Sequence, residues 1–270
     1  MLIIILGDNM NILFTGAVSG IANSVVNELL KFKKYNIYLT VETDTQLKNV
    51  KEKYKNNPRV SCFKLNVTNV HDREKLKDLN IDILVNNAAI GYGGSIAEIP
   101  MSKVRKNFEI NVFSTFEIIQ IVLKNMIKKG KGRVIVISSI AGIIPFNFLG
   151  SYSATKSSVT TLTTTLKNEM KLINKNIKIV LIEPGLYHTG FNQVMFENKY
   201  DWMIKESYFK ENLDKINNKE KLMLSIMEKR KLDSIVNKIV EAITTKNPKF
   251  IYRAPFTQAM TSKIYDLFFR

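Results

Sequence analysis

Apolar residues recur along this 270-residue chain in two rhythms. Strand-like runs stand at "NILFTG" near 11–16, "NIYLTV" near 36–41, "RVSCFKL" near 59–65 and "IDILVNN" near 81–87. They continue at "GRVIVISS" near 132–139, "IKIVLIEPG" near 177–185 and "KFIY" near 249–252. Between them, stretches such as 101–130 and 152–174 carry apolar residues at helical spacing. Regular alternation of strand and helix predicts an α/β fold: a doubly wound, mostly parallel sheet of seven strands with helices on both faces. No Pro/Gly/Ser-rich linker divides the chain, so a single domain over 1–270 is expected. One stretch breaks the rhythm. Residues 186–231 are helical in composition yet stand between a strand and the last βα unit, where a lid over a substrate would be.

Composition narrows the class. Hydrophobic residues make up 45% of the chain, enough for a sizeable core, which excludes a disordered protein. The single cysteine, Cys62, rules out an intramolecular disulfide and points to a reducing compartment. Its setting in "RVSCFKLNV" reads as a small buried hydrophobe rather than a nucleophile. The N-terminal "MLIIIL" is too short for a signal-peptide core or a membrane span, and no later run reaches about 18 uninterrupted apolar residues. A soluble, cytoplasmic protein with no membrane span is therefore expected. The formal charge of +16 raises the question of nucleic acid, but 33 of the 40 cations are Lys and the chain also holds 27 Asn, a bias of the whole composition. The densest cluster, "KNMIKKGKGR" at 124–133, lies where a helix should end, and cations there complement the helix dipole. A solvated surface and no nucleic-acid partner are expected. His71 and His188 stand apart from any ligand spacing, so no metal is expected either.

Five short motifs carry chemistry. The first strand runs into "TGAVSGIA", Thr15 to Ala22, where one glycine permits a tight turn and Gly20 lets backbone approach a pyrophosphate at a helix N-terminus. The fourth strand ends in "NNAAIGYGG" from Asn86. In a doubly wound sheet the first and fourth strands flank the crevice where the strand order reverses, so both loops should line one ligand site. The fifth strand ends in "SSIAG", and "SYSATK" at 151–156 sets Tyr152 and Lys156 four residues apart on one helix face. "PGLYHT", 184–189, follows the sixth strand.

In this order, and over about residues 11–252, the motifs resemble those of the short-chain dehydrogenase/reductase family. The sequence departs from the family pattern at Ala22 and Ala89, where glycines are usual, and at Asn66, where an Asp is common. The resemblance implies a Rossmann-type domain and an NAD(P)-dependent oxidoreductase interconverting an alcohol and a carbonyl by hydride transfer. It places cofactor contacts at Gly16, Ser19, Gly20, Ile21, Glu42, Asn66, Val67, Asn87, Ala88, Pro184, Gly185 and Thr189, with Tyr152 and Lys156. Tyr152 would be the general acid/base, Ser139 would polarise the substrate oxygen, Lys156 would also bind the nicotinamide ribose, and Asn111 would complete a proton relay through water. Physical chemistry agrees on what Tyr152 needs. Its reference pKa is near 10, so work near pH 7 asks for about 3 units, or roughly 4 kcal/mol, in favour of the anion. A nearby ammonium and a cationic nicotinamide would both favour the phenolate. Two rival classes stay in view: a dinucleotide-binding regulatory protein without catalysis, and a sugar-nucleotide-modifying relative.

Three finer expectations follow. Some of the lid aromatics Phe191, Phe196, Tyr200, Trp202, Tyr208 and Phe209 would close over an apolar or bulky substrate, core or interface packing being the alternative for them. By the resemblance, helices 101–130 and 152–174 would pair copies into a homodimer or homotetramer, using apolar residues such as Phe108, Phe113, Phe116 and Leu162. Finally, Glu42 would stand near the adenosine ribose. A like charge about 5 Å from a 2′-phosphate costs on the order of 3 kcal/mol before screening at an effective dielectric near 20. NAD(H) is therefore expected over NADP(H).

Overall fold

A computed structural model describes residues 9–18 and 20–269. Seven strands form one sheet in the order β3-β2-β1-β4-β5-β6-β7. They are β1 (Met10–Phe14), β2 (Tyr35–Val41), β3 (Val60–Lys64), β4 (Ile83–Asn86), β5 (Gly132–Ile137), β6 (Ile177–Pro184) and β7 (Ile251–Ala254). Every pairing is parallel, so the expected "mostly parallel" sheet is wholly so. Parallel strands need crossovers, and helices supply them. These are α1 (Gly20–Leu29), α2 (Asp44–Tyr54), α3 (Val70–Glu74), α4 (Met101–Phe108), α5 (Ser114–Lys129), α6 (Gly150–Ile173), α7 (Phe191–Glu206), α8 (Leu213–Met227), α9 (Asp233–Thr244) and α10 (Phe256–Phe269).

The two-residue period of each strand feeds two cores. Ile12 and Phe14 of β1, with Val180 and Ile182 of β6, pack against Val25, Val26 and Leu29 of α1 and Ile235 and Ile239 of α9. The intervening Leu13, Ile179 and Leu181 face the other way, onto Ile118, Ile119 and Val122 of α5 and Val159 of α6. Burying each such side chain contributes about 1.5–3 kcal/mol, and a one-residue slip would invert both faces. The Thr-rich centre of α6, "TTLTTTL", has weak helix propensity; buried Val159, Thr163 and Met170 show that packing overrides it.

The expected helix over 101–130 runs from Met101 to Lys129, with a π turn at Glu109–Phe113 joining α4 to α5. Among the described residues it is the one helix long and apolar enough to cross a bilayer. Its apolar face covers the sheet instead: Ile118, Ile119, Val122, Leu123 and Met126 are buried. Residues 186–231, between β6 and α9, hold α7, a 3-10 turn at Lys210–Asn212 and α8.

Candidate active site

The strand order reverses between β1 and β4, and there Thr15 ties the two strand ends together. Its hydroxyl donates to Asn86 Oδ1 (2.9 Å) and accepts from the backbone N–H of Asn87 (2.9 Å) and Ala88 (3.0 Å). Asn87 Nδ2 donates back to the carbonyls of Thr15 (3.1 Å) and Gly16 (2.9 Å). Gly16 has φ +62°, and a Cβ there would sit 2.7 Å from Ala88 Cα, so only glycine lets these loops meet.

A cleft of about 690 Å³ opens over this junction. Gly16, Ile21, Glu42, Asn66, Val67, Asn87, Ala88, Pro184, Gly185 and Thr189 line it, together with Ser139, Tyr152 and Lys156. Among the described residues, two of those predicted from sequence do not, Gly20 and Asn111. Ser19 lies outside the described residues. Gly20 sits beneath the cleft edge, where a Cβ would meet Thr189 and Leu232 at 3.6–3.7 Å, ordinary van der Waals contact. Protein packing alone therefore does not demand glycine at that position. Asn111 is buried behind the cleft. Its amide accepts from Ile90 N–H (2.9 Å) and donates to Ile90 O (2.9 Å) and Thr155 Oγ1 (3.0 Å). Its side chain is fully engaged in holding the 90s loop to α6.

At one end of the cleft, Glu42 is exposed beside Gln46. Gln46 Oε1 accepts from the N–H of Glu42 (2.9 Å) and Thr43 (3.2 Å), closing a capping box at the start of α2. Asn66 forms a local turn: its Oδ1 accepts from Thr68 N–H and Oγ1, and its N–H donates to Asp72. Arg73 donates to Val67 O at 2.6 Å and pairs with Glu117, fixing the next residue of the wall.

At the other end, Tyr152 and Lys156 lie in the first two turns of α6, both buried. Lys156 Nζ donates to Ile137 O (3.0 Å) and sits 5.8 Å from the Tyr152 ring centroid. Gly142 brings the turn after β5 against α6, since a Cβ there would stand 2.7 Å from the Lys156 carbonyl carbon. Ser138 Oγ donates to Lys156 O (3.0 Å), and Ser139 Oγ accepts from Ala141 N–H (3.1 Å). Burial lowers the Lys156 pKa to about 8. Burial also holds the Tyr152 phenol above its ordinary range, with the Ser139 hydrogen bond pulling the other way. Lysine proximity was expected to acidify the phenol, but in the protein alone desolvation of both groups outweighs it.

The lid aromatics divide. Phe191, its ring 5.8 Å from that of Tyr152, and buried Phe196 line the cleft with Met195. Trp202 packs on Gly94, Phe209 meets Phe148 edge-on at 5.3 Å, Tyr200 donates to Glu220, and Tyr208 is 82% exposed. These four do not face the cleft. Gln46, Phe146, Leu149, Met195 and Met223 also line the cleft, and the sequence does not mark them for it. Gln46 was legible as the third residue after Thr43, a helix-start pair, but nothing in that pattern marks it for a ligand.

Residues 10–200 match the family model described as short chain dehydrogenase. The chain belongs to the short-chain dehydrogenase family. It is 32% identical over 193 residues to the probable short-chain type dehydrogenase/reductase VdlC of Helicobacter pylori, covering 68% of this chain and 67% of that protein. With estradiol 17-beta-dehydrogenase 2 of Rattus norvegicus it shares 29% identity over 265 residues, 91% of this chain and 68% of the relative. A short chain dehydrogenase/reductase from Burkholderia phymatum, solved with NAD, superposes with a TM-score of 0.80 at 18% identity, covering 95% and 92% of the two chains. The closed form of serine dehydrogenase complexed with NADP+ gives 0.76 at 21% identity, covering 92% and 96%. At these identities the solved structures establish the fold. The short-chain dehydrogenase assignment makes the chain one of a family of oxidoreductases.

Proposed function

We propose that this short-chain dehydrogenase interconverts an alcohol and a carbonyl with a nicotinamide dinucleotide, with Tyr152 moving the proton. The observation that carries this is the buried Tyr152–Lys156 pair beside Ser139 in a cleft that begins at the β1/β4 junction. The residues fit a dinucleotide. Lys156 is a buried ammonium with three donors, and Ile137 O takes one of them, which suits sugar hydroxyls as further acceptors. Gly16, Asn87 and Ala88 would border the dinucleotide at the strand ends, Asn66 and Val67 would flank its adenine side, and Thr189 with Pro184 and Gly185 would meet its nicotinamide end. When bound, the nicotinamide supplies or accepts the hydride.

Protein groups do the rest. Ser139 orients the substrate oxygen and Tyr152 exchanges a proton with it. Lys156 holds positive charge against the phenolate and so offsets the desolvation that keeps Tyr152 neutral. Asn111 positions the 90s loop against α6. Residues 186–231 act as the lid, Phe191, Met195 and Phe196 presenting an apolar wall that suits a bulky apolar substrate. Glu42 favours NAD(H) over NADP(H). Exposed Phe113 and Leu162, beside partly buried Phe108 and Phe116, support pairing of α5 and α6 with a second copy.

The test is NAD(P)H oxidation across a panel of ketones and sugar nucleotides. Bulky apolar ketones should be reduced with the highest kcat/KM. Faster turnover of small polar ketones would contradict the apolar wall, and turnover of none would favour the regulatory class.

A further inference from the structure

Helix α10 is amphipathic with its faces reversed. The side packed on the body carries Gln258 and Ser262, both buried. Gln258 Oε1 accepts from Leu186 N–H (2.8 Å) and its Nε2 donates to Met227 O (2.7 Å). Polar pins thus hold the helix, and its apolar residues point outward: Phe256 is 77% exposed, Ile264 52%, Leu267 78% and Phe268 72%, with Met260 between them. Steps of four, four and three residues from Phe256 place Met260, Ile264 and Leu267 on one stripe. The grip on Met227 sets the end of α8 against the start of α10. There Leu222 and Ile226, one turn apart on α8, are exposed too.

Exposed cations accompany these residues along the chain. Lys221, Lys229, Arg230 and Lys231 are exposed at and just beyond the end of α8, and Lys263 is exposed on α10, where Asp266 is the opposing acid. Exposed apolar residues on two helices joined through Gln258, with exposed cations near them in the chain, fit an interface whose interior is hydrocarbon and whose surface is anionic. A second copy fits less well at this face, because a two-fold pairing would set these cations against their own copies. We propose that the α10 stripe and the end of α8 dock on a membrane surface rich in anionic phospholipid. The protein would lie on the bilayer without crossing it. This does not rest on the proposed reaction, although the docking face adjoins the cleft through Leu186 and Met223.

Co-sedimentation of the full chain with unilamellar vesicles tests the proposal. Two kinds are needed: phosphatidylcholine alone, and phosphatidylcholine with an equal part of phosphatidylglycerol. The wild type should bind the anionic vesicles at least about tenfold more tightly than the neutral ones, and less so in high salt. Ile264→Glu/Leu267→Glu and, separately, Lys229→Glu/Arg230→Glu/Lys231→Glu should each weaken that binding by at least about tenfold with unchanged Tm. A wild type that ignores anionic vesicles, or variants that bind as it does, would overturn the proposal. So would light scattering in which Ile264→Glu/Leu267→Glu splits a larger species while vesicles bind neither protein, since that assigns the face to a second copy.

Discussion

The wall of the cleft built from β1 and β4 is held by hydrogen bonds converging on Thr15, whereas the wall built from 186–231 rests on Met195, Phe196 and a few polar pins. One such pin is Lys199, fully buried and paired with Glu220 between α7 and α8. Another joins His188 Nδ1 to Glu228 Oε2 at 2.7 Å. Directional bonds fix the first wall to one geometry, as the proposed dinucleotide site requires. Apolar contacts on the second wall are non-directional, so that side can differ in shape without unmaking the sheet.

The contrast can be broken at named positions. Thr15→Val keeps shape but strips Asn86, Asn87 and Ala88 of their shared partner. Unfolding free energy should fall by roughly 3 kcal/mol or more, measured in urea, with dinucleotide affinity lost alongside. A change that leaves both intact would show that the hub is dispensable.

Lys156→Met should act in the opposite direction on stability. The folded value near 8 lies below the ordinary 10.5, so the unfolded chain binds more protons between them. The penalty of the buried ammonium is full below about pH 8 and fades as pH rises toward 10.5. Lys156→Met should therefore stabilise the protein at pH 7 by up to about 3 kcal/mol, less by pH 10, while activity collapses. Thermal melts at the two pH values check the sign; a destabilised variant at pH 7 would mean that the bond to Ile137 O outweighs burial.

On the apolar wall, Phe196→Ala should lower kcat/KM for bulky ketones by roughly 10–100-fold while leaving the dinucleotide KM alone. Equal loss on both would place Phe196 in the frame of the site rather than in the lid. The smallest effect is expected at the exposed end: Glu42→Arg should shift the NAD/NADP ratio of kcat/KM by about tenfold toward NADP. A wild type that already prefers NADP would remove the argument from Glu42.

These two walls also explain what the sequence made legible. The strand runs could be placed within about two residues because buried parallel strands are continuous apolar blocks, and the glycine, Asn-Asn and Ser motifs fall at their C-terminal ends as the topology requires, with the Tyr/Lys pair following on α6. Spacing could put Tyr152 and Lys156 on one face, but not reveal that both are buried deeply enough for desolvation to win. Nor could it show that Asn111 hands its whole side chain to Ile90 and Thr155. Six lid aromatics looked alike because contact partners distant in sequence, Gly94, Phe148 and Glu220, decide which of them face the cleft. Met195 and Met223 carry no pattern at all; their roles come from where α7 and α8 lie.

The central claim is that Tyr152 moves the proton in a site whose dinucleotide wall does not depend on it. Tyr152→Phe keeps the ring against Phe191 and removes only the hydroxyl. Paired measurements of dinucleotide Kd and of kcat for ketone reduction test this most directly. Kd should stay within about twofold while kcat falls at least about 10²-fold. A variant with near-normal kcat would contradict the account.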